Sequence, residues 1–482
     1  MKIQNRLAPT LLLAMAMLAG CAHIRPDPHP PQRRDAATAL LPADIKLARE
    51  GWPEAQWWTA YHDDQLNALI ARALAAGPTL EVAAAHIGSA RSALSRSAAD
   101  VGVDVSGYAN ANRQRYSGTG LFPAPIGGAW FTSETLRLDL RYDFDWWGKN
   151  RAQVAAAIGA LNADRAAYAE AEQLLAASIA QSYFRLQGGW ARMANLEQLA
   201  GAQQELVRDK ARRIARGLAT ADDQRAAEAD LNLIRKQQAQ LDADIGHERE
   251  ALRALLGADS AALADLKPLP ASDVAHALPA RLGMELLARR PDLQAARWKL
   301  EASLSTIDAA KAAFYPDLNL SGSVGLDTVK VENLLQAASR TLYLGPTLTL
   351  PLFDSRRLDA RLDSARTARD ERIAEYNQAV VEAVRDVAQD ALQLRGIERQ
   401  IVQQNGATDA ARAQLASARA RVDRGLADNG ALLAAHMALL KQQDADLYLR
   451  QVQRLAEVAL TNALGGGYHE EAPLATVTRR AD

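Results

Sequence analysis

Cys21 is the single cysteine in 482 residues, and it directly follows Leu18-Ala19-Gly20. A lone thiol excludes internal disulfides and Cys-based zinc sites, and behind small residues it is suited to covalent modification. Upstream, Lys2 and Arg6 form a basic start, and the apolar run from Leu7 to Met17 is too short for a comfortable transmembrane helix. Residues 1–20 therefore read as a signal peptide with a small-residue cleavage site. No other constellation offers chemistry: there is no metal-spaced His or Cys cluster, no G-x-S-x-G, no H-E-x-x-H and no phosphate-cradling glycine loop. The eight histidines are scattered, and His86, His247 and His436 read as surface or packing residues of helices. The expectation is no enzyme, no catalytic residue and no metal.

The Leu-Ala-Gly-Cys tetrad resembles a bacterial lipobox, which implies cleavage before Cys21, acylation of its thiol and amine, and no cofactor beyond that covalent lipid. An ordinary signal peptide with an incidental cysteine is the plain alternative. Ala22 stands where a lipoprotein retained at the inner membrane would carry aspartate, so delivery to the outer membrane is expected. Pro26, Pro28, Pro30, Pro31 and Pro42 make residues 21–50 an extended tether. Gly51-Trp52-Pro53 and Trp57-Trp58 read as its packing anchor on the folded body. A formal net charge of −1 leaves no basic bias, so nucleic acid is not an expected partner.

The elements that would carry function meet at one junction. From Thr135 to Trp146, Leu136, Leu138, Leu140, Tyr142, Phe144 and Trp146 alternate with Arg137, Asp139, Arg141, Asp143 and Asp145, which is the period of a strand with one apolar and one charged face. That length is enough to cross a bilayer at a tilt. Arg137, Asp139, Arg141 and Asp143 are expected to line a barrel interior, because charges on the lipid face cost about 2–4 kcal/mol each at mid-membrane. After Trp147-Gly148 the period changes: Ile158, Leu161, Tyr168, Leu175, Ile179, Leu186, Met193 and Leu196 predict one helix of roughly 100 Å.

The chain repeats itself. Arg216-Gly217-Leu218-Ala219 recurs 208 positions on as Arg424-Gly425-Leu426-Ala427, and Leu256-Gly257 recurs as Leu464-Gly465 at the same offset. The first repeat spans 51–270, with strands at about 101–112 and 135–147, a long helix 148–216 and a return helix 220–257. The second spans 271–468, with strands at about 316–327 and 341–353, a long helix 354–424 and a return helix 428–464, before a tail 469–482. The first hairpin is expected to have the longer loop, and Pro346 and Pro351 weaken the fourth strand. Trp146, Trp147, Phe314, Tyr315 and Phe353 all fall where strands meet helices, as in a membrane-interface girdle. Four strands cannot close a barrel, so other copies must complete the sheet; a cyclic trimer would supply twelve strands, though the residues alone do not choose three.

Taken together, the two hairpins with long helices, the lipobox, Gly51-Trp52-Pro53, Asp145-Trp146-Trp147-Gly148-Lys149-Asn150-Arg151, Ser303 to Pro316, Leu350-Pro351-Leu352-Phe353-Asp354 and Leu464-Gly465-Gly466-Gly467-Tyr468 resemble the outer-membrane factors of tripartite efflux pumps, in their NodT-type lipoprotein branch. The resemblance implies a mixed α and β membrane protein: a homotrimer with one twelve-stranded barrel in the outer membrane, continued by an α-helical barrel in the periplasm. It implies two partners, a periplasmic adaptor and an inner-membrane transporter, and passive conduction of drugs or other toxic small molecules. The turns Gly217-Leu218 and Gly425-Leu426 become the periplasmic tip where the adaptor docks, and Asp222, Asp223, Arg421, Arg424 and Asp428 become candidates for a gate. Carboxylates in a narrow pore select cations, and Arg–Asp pairs hold a bundle end shut; as plain helix caps the same charges would be solvated. Ala434 replaces an acidic residue usual in the family, and His436 a common glutamine. Two rivals remain, a protein-secretion component of the same architecture and a pore-less structural lipoprotein.

Overall fold

The computed structural model describes residues 24–27, 30–34, 51–270, 286, 289–351 and 353–468. Cys21, residues 1–20 and the tail 469–482 lie outside them. Two short helices, α1 (Asp64–Ala76) and α2 (Pro78–Ala99), lead to the hairpin β1 (Val103–Arg115) and β2 (Trp130–Asp143). The long helix α3 (Lys149–Ile214) and its return α4 (Ala221–Leu255) follow. The second half runs α5 (Pro291–Ala312), β3 (Asp317–Thr328), β4 (Arg340–Thr349), α6 (Ser355–Asp423) and α7 (Asn429–Ala463). At 66 and 69 residues, α3 and α6 are each about 100 Å long. The sequence pattern did not anticipate α1, which caps itself with the Asp63 carboxylate on the amides of Gln65 and Leu66.

The duplication is visible in the core. Ile179, Leu186, Leu252 and Leu256 pack in one cluster with Leu66, Ile70 and Tyr183, while Val387, Leu394, Leu460 and Leu464, each 208 positions on, pack in a second with Tyr376 and Leu293. The two halves are not equivalent in their neighbours. Helix α3 packs against α2, α4, α5 and α7, whereas α6 packs against α5 and α7 and shows no comparable packing with α2 or α4.

The strands form one antiparallel sheet in the order β1-β2-β3-β4. Directly opposite residues share a face, so the register sorts the side chains. One face carries Arg137, Asp139 and Arg141 of β2 opposite Tyr108, Ser106 and Asp104 of β1 and Gly325, Ser323 and Ser321 of β3. The other carries Leu136, Leu138 and Leu140 opposite Ala109, Gly107 and Val105 and opposite Leu326, Val324 and Gly322. The first hairpin has the longer loop, residues 116–129 against 329–339. Pro346 sits in β4 opposite Leu320, and Pro351 falls beyond the strand.

Two expectations at the junction are corrected. Strand β2 begins at Trp130 and stops at Asp143, not at Trp147. Its end is fixed by Asp143, whose Oδ1 accepts from the Asp145 amide at 3.0 Å, and by Asp145, which turns to φ 43°. The Asp145 carboxylate then accepts from the amides of Asn150 and Arg151 at 2.9 and 3.0 Å and caps α3. Phe144 and Trp146 continue the apolar alternation through a turn rather than a strand. Phe314 is not an interface aromatic: it is buried with Ile307, Leu358 and Leu362, because α5 lays this stretch against the start of α6.

Candidate functional site

The polar sheet face is built as a lined surface. Arg137 Nε meets Asp139 Oδ2 at 2.9 Å, and its guanidinium lies over the Tyr108 ring at 4.6 Å. Gly325 stands opposite, where a Cβ would come within 2.6 Å of the Arg137 Cβ, so a larger residue would displace that arginine. Arg141 shares the face. Asp143 closes the same face at the strand end, opposite Asn319, where its Oδ2 accepts from Asn150 Nδ2 at 3.1 Å. Tyr108 belongs with the lining residues and was missed, since β1 alone has too few apolar positions to reveal its phase.

At the junction rim, Trp147 stacks on Tyr315 with centroids 4.4 Å apart and donates its Nε1 proton to the Pro316 carbonyl at 2.9 Å. Trp146 and Phe353 are exposed, Phe353 almost completely. A ring anchored at its polar end with an open apolar face fits a bilayer interface.

The far ends of α3 and α6 are a matched pair of Schellman turns. Leu218 donates to the Arg213 carbonyl and Gly217 to Ile214, and Leu426 and Gly425 repeat this on Arg421 and Val422. Gly217 and Gly425 have φ of 70° and 72°, which favours glycine, and they leave Leu218 and Leu426 standing exposed.

The candidate charges behave individually. Asp223 forms a capping box with Thr220, accepting from its amide at 2.9 Å and its hydroxyl at 2.8 Å, which holds the carboxyl below its usual pKa. Asp428 caps α7 by accepting from the Ala431 amide at 2.8 Å, and this bond first, then Arg213, lowers its pKa. Asp222 pairs with Arg225 one turn on, in full solvent. Within the chain, Asp428 does not meet Arg421 or Arg424. Asp428 instead meets Arg213 of α3 at 2.8 Å, while Arg421 and Arg424 are exposed and make no ion pair among the described residues. Arg213 lies 208 positions before Arg421, so the duplication offset could have flagged it. A second cross-link, Arg192 to Asp444 at 3.0 Å, ties α3 to α7 nearer mid-helix.

A titrating group sits closer to the membrane. Burial first, then Asp386, pushes the Asp390 carboxyl up to about 6 against the pull of Arg290. Arg290 is already committed: it forks onto Asp292 at 2.6 and 3.1 Å and donates to the Ala463 carbonyl at 3.0 Å. An acid with a folded pKa above its unfolded value of about 4 favours the fold at low pH and loses that contribution as pH rises through about 6. Asp390→Asn is accordingly expected to exceed the parent in stability at pH 8 by about 1 kcal/mol, after discounting for partial exposure, and to match it near pH 4. Thermal melts of the two proteins at both pH values check this.

Comparison with known proteins agrees with this geometry. A family model described as "Outer membrane efflux protein" matches residues 69–258 and again 282–466, one match in each repeat. The multidrug resistance outer membrane protein MdtP of Escherichia coli K12 is 35% identical over 475 residues, covering 97% of each chain. The putative multidrug resistance outer membrane protein MdtQ of Shigella flexneri is 36% identical over 466 residues, covering 94% of this chain and 96% of its own. Among solved structures, the outer membrane protein VceC of Vibrio cholerae superimposes with a TM-score of 0.77 at 31% identity, over 86% of this chain and 100% of that one. The outer-membrane channel OprN gives 0.81 at 27% identity, over 92% and 99%. The fold is therefore that of trimeric outer-membrane channels, with a β domain completed by three copies and an α-helical barrel reaching into the periplasm. Two matched repeats, near-complete coverage and a sheet with one charged and one apolar face converge, and the chain belongs to the outer membrane efflux protein family.

Proposed function

We propose that this protein is the passive exit duct of a tripartite pump, carrying drugs or other toxic small molecules from an inner-membrane transporter and a periplasmic adaptor to the outside. The two-faced sheet carries the reading. A strand set with Arg137, Asp139 and Arg141 on one side and an unbroken apolar band on the other fits a membrane barrel with the charges in its lumen. The open edges β1 and β4 and the uncovered side of α6 are the places where neighbouring copies join, in place of the α5 and α7 contacts that α3 makes within the chain. By the same offset, Arg421 faces the start of α4 of the next copy, where Thr220 takes the place of Asp428 and is bonded to Asp223, which restores Arg421 to the gate. The exposed Leu218 and Leu426 form the adaptor-docking surface. The energy comes from the transporter, and no reaction is catalysed here.

The test is co-expression with a cognate adaptor and transporter in a strain lacking its own outer-membrane channels. Drug tolerance should return, and the purified particle should contain three chains and conduct in a planar bilayer. A non-conducting monomer would overturn the reading.

Cys21 is proposed as the lipid anchor. Ile24, three residues on, packs with Phe314, Leu358 and Leu362 beside the strand–helix junction, the level at which an inner-leaflet lipid enters. Cys21→Ala should remove the acyl mass from the mature protein in intact mass spectrometry; an unchanged lipid mass would refute the assignment.

A further inference from the structure

The apolar sheet face does not stay apolar. Toward the end remote from the helices, β1 places Arg113 and Arg115 on it, opposite Thr132 and Trp130 of β2. Edge strand β4 begins with Arg340, opposite Leu326 on that same face. All three arginines are exposed, and none makes an ion pair among the described residues. Arg113 lies over the Trp130 ring at 5.7 Å, and Arg115 donates from Nε to the Gly128 carbonyl at 3.1 Å. The acid this face holds at that level is Glu134, opposite Ala111 and Thr328, and it is 8% exposed. The adjoining loop, residues 116–129, carries no charged residue. On the opposite face the arrangement differs, since Arg137 is neutralised by Asp139.

Depth gives the cluster its meaning. From Val103 to Arg113 the chain takes ten steps, roughly 33 Å along a strand. At the tilt of a membrane barrel this is about 25 Å along the normal, the height of an apolar band. Arg113 and, two residues further, Arg115 therefore emerge at headgroup level on the side away from the periplasmic helices, while Arg340, on the rung of Leu326 and Leu136, reaches toward that level from within the band by the length of its side chain. In an outer membrane that leaflet presents glucosamine headgroups bearing phosphates. Arginine forks match phosphate oxygens in two-point hydrogen bonds, and a guanidinium fixed on an indole or a backbone carbonyl is held ready for it.

We propose that Arg113, Arg115 and Arg340 form a binding site for the phosphorylated glycolipid headgroups of the outer leaflet. Arg340 lies on the edge strand that meets β1 of the next copy, the strand carrying Arg113 and Arg115, so each site is completed across a junction between copies. This rests on the outward orientation of the apolar face proposed above.

The experiment uses the purified full-length trimer and native mass spectrometry with three lipids: bis-phosphorylated lipid A, the same lipid with both phosphates removed, and phosphatidylglycerol. The parent should retain the bis-phosphorylated lipid at about tenfold lower concentration than either of the others. The R113Q/R115Q/R340Q protein should lose that preference while remaining trimeric. Equal retention of the three lipids by the parent, or a preference unchanged in the substituted protein, would overturn the site. Should the triple variant fail to assemble, the parent's lipid comparison and R340Q alone decide. Val324→Cys, on the mid-band of the same face, separates this from the orientation itself. Labelling by a membrane-impermeant maleimide above the background of the parent, whose one thiol is Cys21, means that the face is not in lipid. Protection without phosphate preference rejects the headgroup site alone.

Discussion

Replacing Gly467 by alanine is expected to abolish the stable trimer. The residue has φ 79°, and a Cβ there would lie 2.0 Å from the Glu54 carbonyl oxygen and 2.2 Å from its carbon. Both are backbone atoms, held by the anchor in which Trp52 packs on the second core with Arg289 over its ring at 5.0 Å. No rotamer change relieves such an overlap. Backbone displacement together with left-handed strain should cost about 3 kcal/mol or more. Gly465→Ala should behave alike, its Cβ falling 1.9 Å from the Arg289 carbonyl oxygen, in a residue with φ 91°. Gly466→Ala is the internal control: its Cβ approaches the Gln173 side chain at 3.2 Å, which can move, so about 1 kcal/mol of backbone strain remains. Heat-resistant trimer on semi-native gels should vanish for the first two and persist for the third. Survival of all three would mean that the anchor yields.

Asp428→Ala is expected to loosen the periplasmic tip. One carboxylate performs two tasks there, capping α7 through the Ala431 amide and holding Arg213 of α3 at 2.8 Å. Loss of a cap costs about 1 kcal/mol, and a half-exposed ion pair adds about 0–1 kcal/mol. A combined 1–2 kcal/mol shifts a local opening equilibrium by a factor of about 5–30. Single-channel recording should show that rise in open probability. Asp428→Asn keeps a capping oxygen and loses the charge, and Arg213→Gln loses the pair alone, so these two should match each other below the alanine variant. Unchanged currents in all three would leave Asp428 as a cap without a gating role. Its depressed pKa fixes the pH window: the contribution is complete above about 4 and is lost as pH falls through the folded value below that. Between pH 5 and 8 the tip should not respond to this group.

Much of the architecture was readable because it rests on period and repetition. A two-residue alternation in β2, a helical period in α3 and a constant offset of 208 are properties of the chain itself, and they suffice to separate the apolar and charged faces. What was not readable depends on neighbours. Phe144 and Trp146 keep the strand's alternation although Asp143 and Asp145 have already turned the chain, because a turn can preserve phase by accident. Phe314 and Tyr315 are adjacent and chemically alike, yet one is buried under α6 and the other stacks on Trp147, a difference set by tertiary packing. At the tip, Arg213 and Arg421 have the same local context, and only the placement of α7 beside α3 decides which meets Asp428 within the chain.

The described part of the tether has a mechanical consequence. Ile24 packs at the Leu358–Leu362 level, Asp27 meets Arg369 at 2.6 Å, and Arg34 donates from its amide to Asn377 Oδ1 at 2.6 Å. The segment thus runs alongside α6 in the same direction for nearly 30 Å, at 1.5 Å per helical residue between Leu358 and Asn377. A pull from its N-terminal side acts along this seam, so the contacts bear load in shear and together, instead of peeling one after another. Tension on the N-terminus is thereby spread into the long helix before it reaches the Trp52 anchor.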